Sequence, residues 1–569
     1  MLAAGAAEQQ RRNQAGIGKA PSVAVAYAPR GNDANASRFV EAPAAEVAAG
    51  YLPVPPNDEE KYRYYGRQGR WIFVVFLLSF AGVVYGLARL ALNSIWTSVL
   101  YELIALQVAA VFISLLSSTR RRRSSRAQHD SRVVLYRPAI YPSVDVFLPS
   151  AGEALEILEN TYRHVAELEW PGRLTVYVLD DSGRESVGEL AKRFGFVYAS
   201  RPNRGELKKA GNLKFGFEIS NGDLIHVFDA DFAPRPDMTR ELAPYFEDPQ
   251  IGIVQSPQFF DVQQEHFNWL QRAAGATQEL FYRWIQPARD AVDAAICVGT
   301  NAVYRRKALQ EAGGFAQIGH SEDVHTGVNL AKAGFRTRYV PVNLAKGVCP
   351  DNFDGFTNQQ YRWCTGSMSL LADPSFHRSS LNLKQKLCFW TGFLYYITTA
   401  IAAFTAPLPG ILMLWFFADQ IRPLNYLPLL GTVFVWSTLM PKVTNYRWSP
   451  AVVRVQMLIG FCHAVALVDF LRKRTASWVP TGAATKTPTA KRVLRLLRIW
   501  LISAQVLIWS GIVVGVLHYG FAAFWATILF GLPTLYFVYP LLLGNRSTPV
   551  RLPAAPAEAA VVPAVSAAS

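Results

Sequence analysis

A chain of 569 residues is too long for one typical domain, and at 51% hydrophobic and 17% charged it has too little charge for an ordinary soluble protein of that size. Its formal net charge of +15 is clustered: Arg120, Arg121, Arg122, Arg123 and Arg126 follow one apolar run, Arg472, Lys473 and Arg474 follow another, and Lys491, Arg492, Arg495 and Arg498 precede a third. Beside apolar helices such clusters read as positive-inside anchors, which argues against a nucleic-acid partner. In chain order, residues 1–70 are rich in Ala, Pro and Gly and lack a core pattern, as expected of a disordered cytosolic tail. Glu8, Arg11 and Arg12 interrupt the one run that resembles a signal peptide. Residues 71–90 and 99–116 are long and apolar enough to cross a bilayer. A polar block of about 270 residues follows, and then apolar runs at 387–404, 407–417, 427–440, 451–470, 499–517 and 521–543. That makes about eight spans in a multi-pass α-helical protein, with a short disordered tail over 544–569.

Placing the arginine run after the second span in the cytosol puts the polar block and both termini there too. Lys442 and Arg447 then fall on the outer face, against the rule. Arg454, His463 and Asp469 interrupt an apolar run and read either as boundary residues or as the lining of a polar path. Cys297, Cys349, Cys364, Cys388 and Cys462 have no pairing or zinc spacing, which fits a reducing compartment.

Inside the block, β-rich runs at 144–148, 174–179, 196–199, 223–228 and 251–255 alternate with helical stretches such as 153–168. This predicts an inserted cytosolic α/β domain that is an open sheet, with ligands at the C-terminal ends of its strands. No GxGxxG turn follows the first strand, so a dinucleotide fold is not expected.

Two of those strands end in carboxylates. Asp180 and Asp181 end one; they could cap the next helix or hold a uridine. Asp229-Ala230-Asp231 ends another, and an extended Asp-x-Asp would point both carboxylates the same way, as hard ligands for Mg²⁺ or Mn²⁺ bridging a diphosphate. Lys209 in Lys208-Lys209-Ala210-Gly211-Asn212 supplies a cation for that diphosphate, with Gly211 allowing close backbone approach. In Ser321-Glu322-Asp323, Asp323 is a candidate base and Glu322 a neighbour that raises its pKa; the same residues also suit a helix N-terminus. Gln359, Arg362 and Trp363 share a helix face, where Arg can grip phosphate and Trp can stack on a sugar ring, or where both can simply sit at a membrane surface. The mixed polar and apolar character of 361–371 and 381–387 suggests two interface helices within 351–386.

Taken together, Asp180, Asp229/Asp231, Ser321-Glu322-Asp323 and Gln359/Arg362/Trp363 resemble the D, DxD, [T/S]ED, QxxRW signature of the processive family 2 glycosyltransferases, the cellulose synthase-like superfamily, over roughly residues 70–545. The resemblance implies a GT-A-like domain over 117–350, a polymer channel over 387–543, and a gating-like loop at 471–496. It implies UDP-glucose as donor with Mg²⁺ or Mn²⁺, and inverting transfer to the end of a polymer that is then exported across the inner (plasma) membrane, with accessory export proteins as possible partners. Asp323 would be the base, with Glu322 beside it. Asp180, Asp181, Lys209, Asp229, Gln359 and Arg362 would hold the nucleotide. Trp363, Cys297, Gly299 and Thr300 would hold the acceptor. Phe232 stands where the cellulose synthase pattern tends to have His, and Trp478-Val479-Pro480-Thr481-Gly482 lacks an obvious gating lysine. Residues 201–209 and 321–327 look more like the curdlan or mixed-linkage branch, so β-1,3-glucan is the expected product, with cellulose or a mixed-linkage glucan as the alternative. No RxxxR-bearing PilZ-like domain is read, so a fused cyclic-di-GMP-binding domain is not expected.

Overall fold

The computed structural model describes residues 52–65, 71–118, 122, 125–264, 267–445, 447–474 and 487–544. Its polar block is built on ten strands: β1 Val144–Ser150, β2 Leu174–Asp180, β3 Val197–Ala199, β4 Leu224–Val227, β5 Phe232–Pro234, β6 Ile251–Gln255, β7 Phe259–Phe260, β8 Ala302–Arg305, β9 Arg336–Tyr339 and β10 Ala345–Gly347. Seven form one sheet in the order β3-β2-β1-β4-β8-β6-β9, and β5-β10-β7 form a second. β1 lies parallel between β2 and β4 and is buried at all seven positions, as a central strand covered on both faces should be. Its one charge, Asp145, is met by Arg306 Nη2 at 3.2 Å. β8 runs antiparallel to both β4 and β6, so the sheet is mixed and not simply wound.

Residues 52–65, which fall inside the expected N-terminal tail, are folded onto this body. Lys61 pairs with Asp237 at 2.8 Å and Glu241 at 2.7 Å, Asp58 meets Arg235 at 2.8 Å, and buried Tyr64 donates to Glu279 at 3.2 Å. Composition hid this strap, because its anchors are polar side chains reaching partners 176 to 215 residues away.

Among the described residues, six helices are long and apolar enough to cross a bilayer: Trp71–Ala91, Ile95–Ser117, Leu383–Phe416, Ala451–Leu471, Pro488–Tyr519 and Phe521–Leu543. The chain is a multi-pass membrane protein with the α/β domain inserted between its second and third long helices. The expected count of eight is not confirmed among the described residues. Residues 408–416 continue the helix that begins at Leu383, and 423–443 is a succession of short 3-10, α and π turns carrying Pro423, Pro428 and Pro441. Arg447, expected on the outer face, instead sits against the α/β body, with Nε 2.9 Å from Glu279 Oε1 and the guanidinium 4.2 Å above the Phe259 ring.

Ala451–Leu471 is also unlike a lipid-facing span, since 67% of its apolar window is buried. Near its start, the Arg454 guanidinium lies 5.4 Å from the ring of Trp269, at the head of the body helix Trp269–Leu280. Arg454 Nη2 also donates to the Tyr536 carbonyl at 3.1 Å, which Pro540 cannot take up for want of an N–H. Near its end, Asp469 accepts from Tyr361 at 3.1 Å and from Arg492 at 2.8 Å. Arg454 and Asp469 are therefore buried and partnered, not boundary residues reaching for the interface.

Of the two interface helices expected in 351–386, the structure has one 19-residue helix, Phe353–Leu371, while the second is the start of the long helix from Leu383. Residues 475–486 of the expected gating-like loop, with Trp478 to Gly482, lie outside the described residues, as does 545–569 of the C-terminal tail. Pro488–Tyr519 begins inside that expected loop, and Thr487 just before it donates to Asn358 Oδ1 at 2.8 Å, next to Gln359.

Candidate active site

β2 delivers Asp180 to its end, but there the carboxylate is fully buried and used by the protein. It accepts from Ser182 N at 3.0 Å, Arg184 N at 2.9 Å and Tyr198 OH at 3.1 Å. Asp181 is paired with Arg201, Nε at 2.7 Å and Nη2 at 2.9 Å, and accepts from Gly205 N at 3.0 Å. Asp180 does not cap the next helix either, since Glu185–Arg193 has Arg184 at its N-cap and no side-chain cap bond; Asp180 instead ties down the loop that precedes it. The pair shapes the 181–205 loop. Gly211 does allow a close approach, though of the Arg201 guanidinium and the Glu206 carbonyl, which a Cβ there would strike.

Asp229 and Asp231 follow β4 in a tight turn, with Phe232 N donating to Asp229 O at 3.3 Å. The extended geometry expected from the sequence is therefore absent, because the chain must reverse into β5. The carboxylates still act on each other. Burial, the Asp229 charge and the Glu153 charge together push Asp231 up to about 7. Glu153, just beyond the end of β1, is itself raised by burial; its position after a strand end was the signal for it in the sequence.

Lys209 ties the site together. Its ammonium is hydrogen-bonded to Asp229 Oδ1, lies 2.9 Å from Gly299 O and stands 3.9 Å from Glu322 Oε1. Burial lowers the Lys209 pKa, but Asp229, Glu322 and Asp323 more than offset it, so the net shift is upward and the group is held charged. Across from it, Asp323 begins the helix Glu322–Lys332. Burial first, then Glu322, push Asp323 up to about 7 against the pull of Lys209. Gly299, at φ +76°, lets the backbone pass so close that a Cβ there would sit 2.9 Å from Asp323 Oδ2.

Arg362 comes from the Phe353–Leu371 helix. Burial lowers its pKa, and Glu322, Asp229 and Asp231 resist, which brings it into the same electrostatic site. Gln359 and Trp363 lie half-buried on the same helix. That helix is docked on the Glu322–Lys332 helix in two places. His325 Nε2 and Ser369 Oγ are 3.1 Å apart, and Gly366 packs against Ser321 so tightly that a Cβ would overlap its Oγ and Cβ. Ser321 has φ +54° and makes no side-chain cap bond, so its place is set by this contact and not by capping. Gly366 was missed from the sequence; the tip was a glycine three residues past Trp363, on the same helix face.

The acceptor set is corrected in part. Cys297 is buried with its Sγ 2.9 Å from Tyr304 OH, and burial pushes its thiol up to about 12. Thr300 is buried too, its Oγ1 accepting from Asp229 N at 2.8 Å. Both are wall residues. The Gly299 backbone and Trp363 remain as groups able to face an acceptor.

The residues fit a divalent cation. Among the described residues no three His, Cys, Asp or Glu side chains are gathered to hold an ion alone. Mg²⁺, however, keeps several waters and takes one or two carboxylates plus substrate phosphate, which is what Asp229 and Asp231 can offer. The negative charge of Asp229 and Glu153, which adds to burial in raising Asp231, is what such an ion would neutralise.

An α/β body inserted among apolar helices, with carboxylates at its strand ends around one lysine, makes this a multi-pass membrane protein with an inserted mixed α/β domain consistent with a GT-A-like fold. The chain belongs to glycosyl transferase family group 2, whose pattern matches residues 224–544, more than half of it. It is 33% identical over 279 residues to a cellulose synthase catalytic subunit (UDP-forming) of Pseudomonas fluorescens (strain SBW25), covering 48% of this chain and 38% of that protein. It is 32% identical over 272 residues to a cellulose synthase 1 catalytic subunit (UDP-forming) of Komagataeibacter xylinus, covering 46% and 36%. The matches thus span well under half the length of these relatives. Among solved structures, the mannosyltransferase PcManGT from Pyrobaculum calidifontis, in complex with GDP-Man and Mn²⁺, superposes with a TM-score of 0.46 at 18% identity over 65% of this chain and 98% of that one.

Proposed function

We propose that this chain is a processive, inverting glucan synthase that takes UDP-glucose on the cytosolic side of the inner membrane and exports the polymer. One observation carries the reading: Asp229, Gly299 and Glu322 converge on Lys209, bringing the DxD turn, the acceptor wall and the helix bearing Asp323 to one point. Asp323, ionised, takes the proton of the acceptor hydroxyl as that oxygen bonds to C1 of glucose. The C1–O bond to UDP breaks on the opposite face, which inverts C1. Lys209 and Arg362 meet the negative charge that gathers on the departing UDP. A divalent cation on Asp229 and Asp231, when bound, would supply further charge neutralisation at the diphosphate. Gln359 is assigned to closing over the diphosphate, and Asp180 and Asp181 to shaping the loop beside the uridine. The apolar helices supply the route out, since polymer hydroxyls crossing lipid unpaired would cost several kcal/mol per group.

For the product we put a cellulose-type β-1,4-glucan ahead of the β-1,3-glucan first expected, because the relatives reported above carry the cellulose synthase name. The test is synthesis from radiolabelled UDP-glucose in purified membranes, followed by linkage-specific digestion. Release of label by a β-1,4-glucanase and not by a β-1,3-glucanase is expected. The reverse would restore the β-1,3 product, and a polymer resistant to both would remove the glucan reading. Trp363→Ala is expected to slow elongation about tenfold, equivalent to ~1.4 kcal/mol of acceptor stacking, with UDP affinity unchanged. Unchanged elongation would remove Trp363 from the acceptor site.

A further inference from the structure

A buried guanidinium without a counter-charge stands behind the acceptor wall. Arg289 is 3% exposed, on the short helix Gln286–Asp290. That helix is stapled to the wall, since Gln286 accepts from Ile296 N at 2.9 Å and donates to Ile296 O at 2.7 Å, three residues before Gly299. Arg289 Nη2 donates to Thr391 Oγ1 at 3.0 Å on the long helix from Leu383, while Nε and Nη1 are buried without a hydrogen-bond partner. Among the described residues no carboxylate pairs with it. Neighbouring Asp290 is taken by Arg122 and Arg338.

The surroundings of Arg289 are polar in a pattern that leads away from the site. Its electrostatic neighbours are Cys388 and Tyr396. Tyr396 lies beside Ser367, which stands one helical turn past Trp363 on the Phe353–Leu371 helix. Beyond it, the Tyr396 ring meets His463 at 4.7 Å. His463 Nδ1 lies 2.7 Å from Thr399 Oγ1, and its Nε2 is also buried without a partner. Buried polar groups left unpaired are costly, and they are rare in a folded chain unless a ligand or ordered water completes them. Two such groups flank Tyr396, whose helix from Leu383 packs on the Phe353–Leu371 helix that carries Trp363.

We propose that Arg289 is a binding residue for the polymer behind its reacting end: Nε and Nη1 donate to hydroxyl oxygens of a sugar unit that has already passed Trp363. The inference rests on the reading that the product is a polymer. A planar guanidinium offers parallel N–H donors that suit adjacent hydroxyls on one pyranose, and a carboxylate partner in the protein would compete for them. The arrangement gives up stability in the empty protein for a grip on the growing chain.

The test uses full-length protein in lipid nanodiscs, comparing wild type with Arg289→Met, which keeps volume and removes charge. Three readouts are taken: product chain length, UDP release by transfer to water, and thermal midpoint. Expected for Arg289→Met are chains shorter by about tenfold, UDP release within about twofold of wild type, and a midpoint equal to or above wild type. Chains of wild-type length would overturn the proposal, leaving water as the occupant of the seam. A loss of both chain length and thermal midpoint would make Arg289 a structural group and overturn it equally. Wild-type protein that makes no polymer from UDP-glucose or any other UDP-sugar would instead sink the proposed function, and this inference with it.

Discussion

Asp323→Asn is expected to lower sugar transfer by about 10²–10⁴-fold while UDP binding stays within about twofold of wild type. The size follows from removing the one proton acceptor that the geometry puts against Gly299. The competing carboxyl, Asp231, is also pushed up to about 7, but by burial and the charges of Asp229 and Glu153, two residues from the carboxylate that Lys209 bonds. A cation bound there would return Asp231 to its ionised form and leave it no proton-accepting role. Asp323 is raised by burial and Glu322, and Lys209 limits the rise. Because a base must be ionised to act, activity should climb with pH through about 7 and level off above it. The same shift fixes a stability change of known sign. Between the ordinary carboxylate range and about 7 the folded protein holds a proton that the unfolded chain has lost, so this group's contribution to stability falls as pH rises through that window. Asp323→Asn removes that fall, and the variant should melt at or above wild type at pH 8. Two measurements decide the assignment: single-turnover transfer with titrated UDP binding, and a melting series from pH 5 to 8. Transfer retained by the variant, or a rate independent of pH across that window, would end the base role.

How far the sequence could be read depended on what each residue's neighbours were. β6 was legible to the residue, and β1, β2, β3 and β4 nearly so, because each is a short β-rich run bounded by polar residues. The motif residues were legible as types in order. Their states were not. Whether Asp180 faces a ligand or ties down its own loop depends on Tyr198 and Arg184, and whether Cys297 faces the acceptor depends on Tyr304. The antiparallel β8 and the turn at Asp229–Asp231 went unread because strand direction leaves no mark on composition. Hydropathy measures how apolar a run is and not how long a helix it forms, so 407–417 and 427–440 read as separate spans where the structure has the end of the helix from Leu383 and a succession of short turns. Nor does it see what covers a span: Ala451–Leu471, largely buried by other helices, and Trp71–Ala91, of which 11% is buried, read alike. The strap at 52–65 was missed because it is held by ion pairs such as Lys61 with Glu241.

Gly366→Ala is expected to reduce polymer synthesis by about 10²-fold, the cost of an ångström-scale misplacement of catalytic groups. The added methyl would overlap Oγ and Cβ of Ser321, at the point where the helix carrying Gln359, Arg362 and Trp363 docks on the helix carrying Asp323. Neither side can yield cheaply. Ser321 is a short side chain on a left-handed residue at φ +54°, and Gly366 lies inside a 19-residue helix. The docking must therefore open, which moves Arg362 and Trp363 away from Asp323 even though neither side chain has changed. A second substitution separates this account from plain destabilisation. Ser321→Gly removes both overlapped atoms and relaxes a left-handed backbone, so alone it should leave activity near wild type. Combined with Gly366→Ala it should restore most of the lost activity, because the next atom facing the new methyl is the His320 carbonyl carbon at 3.4 Å, an ordinary contact. The measurement is a double-mutant cycle on polymer synthesis at saturating UDP-glucose. Strong coupling of opposite sign to the Gly366→Ala loss is expected. Additive effects would show that the two helices do not hold their register through this contact, and the spacing between Asp323 and the Arg362–Trp363 pair would need another determinant.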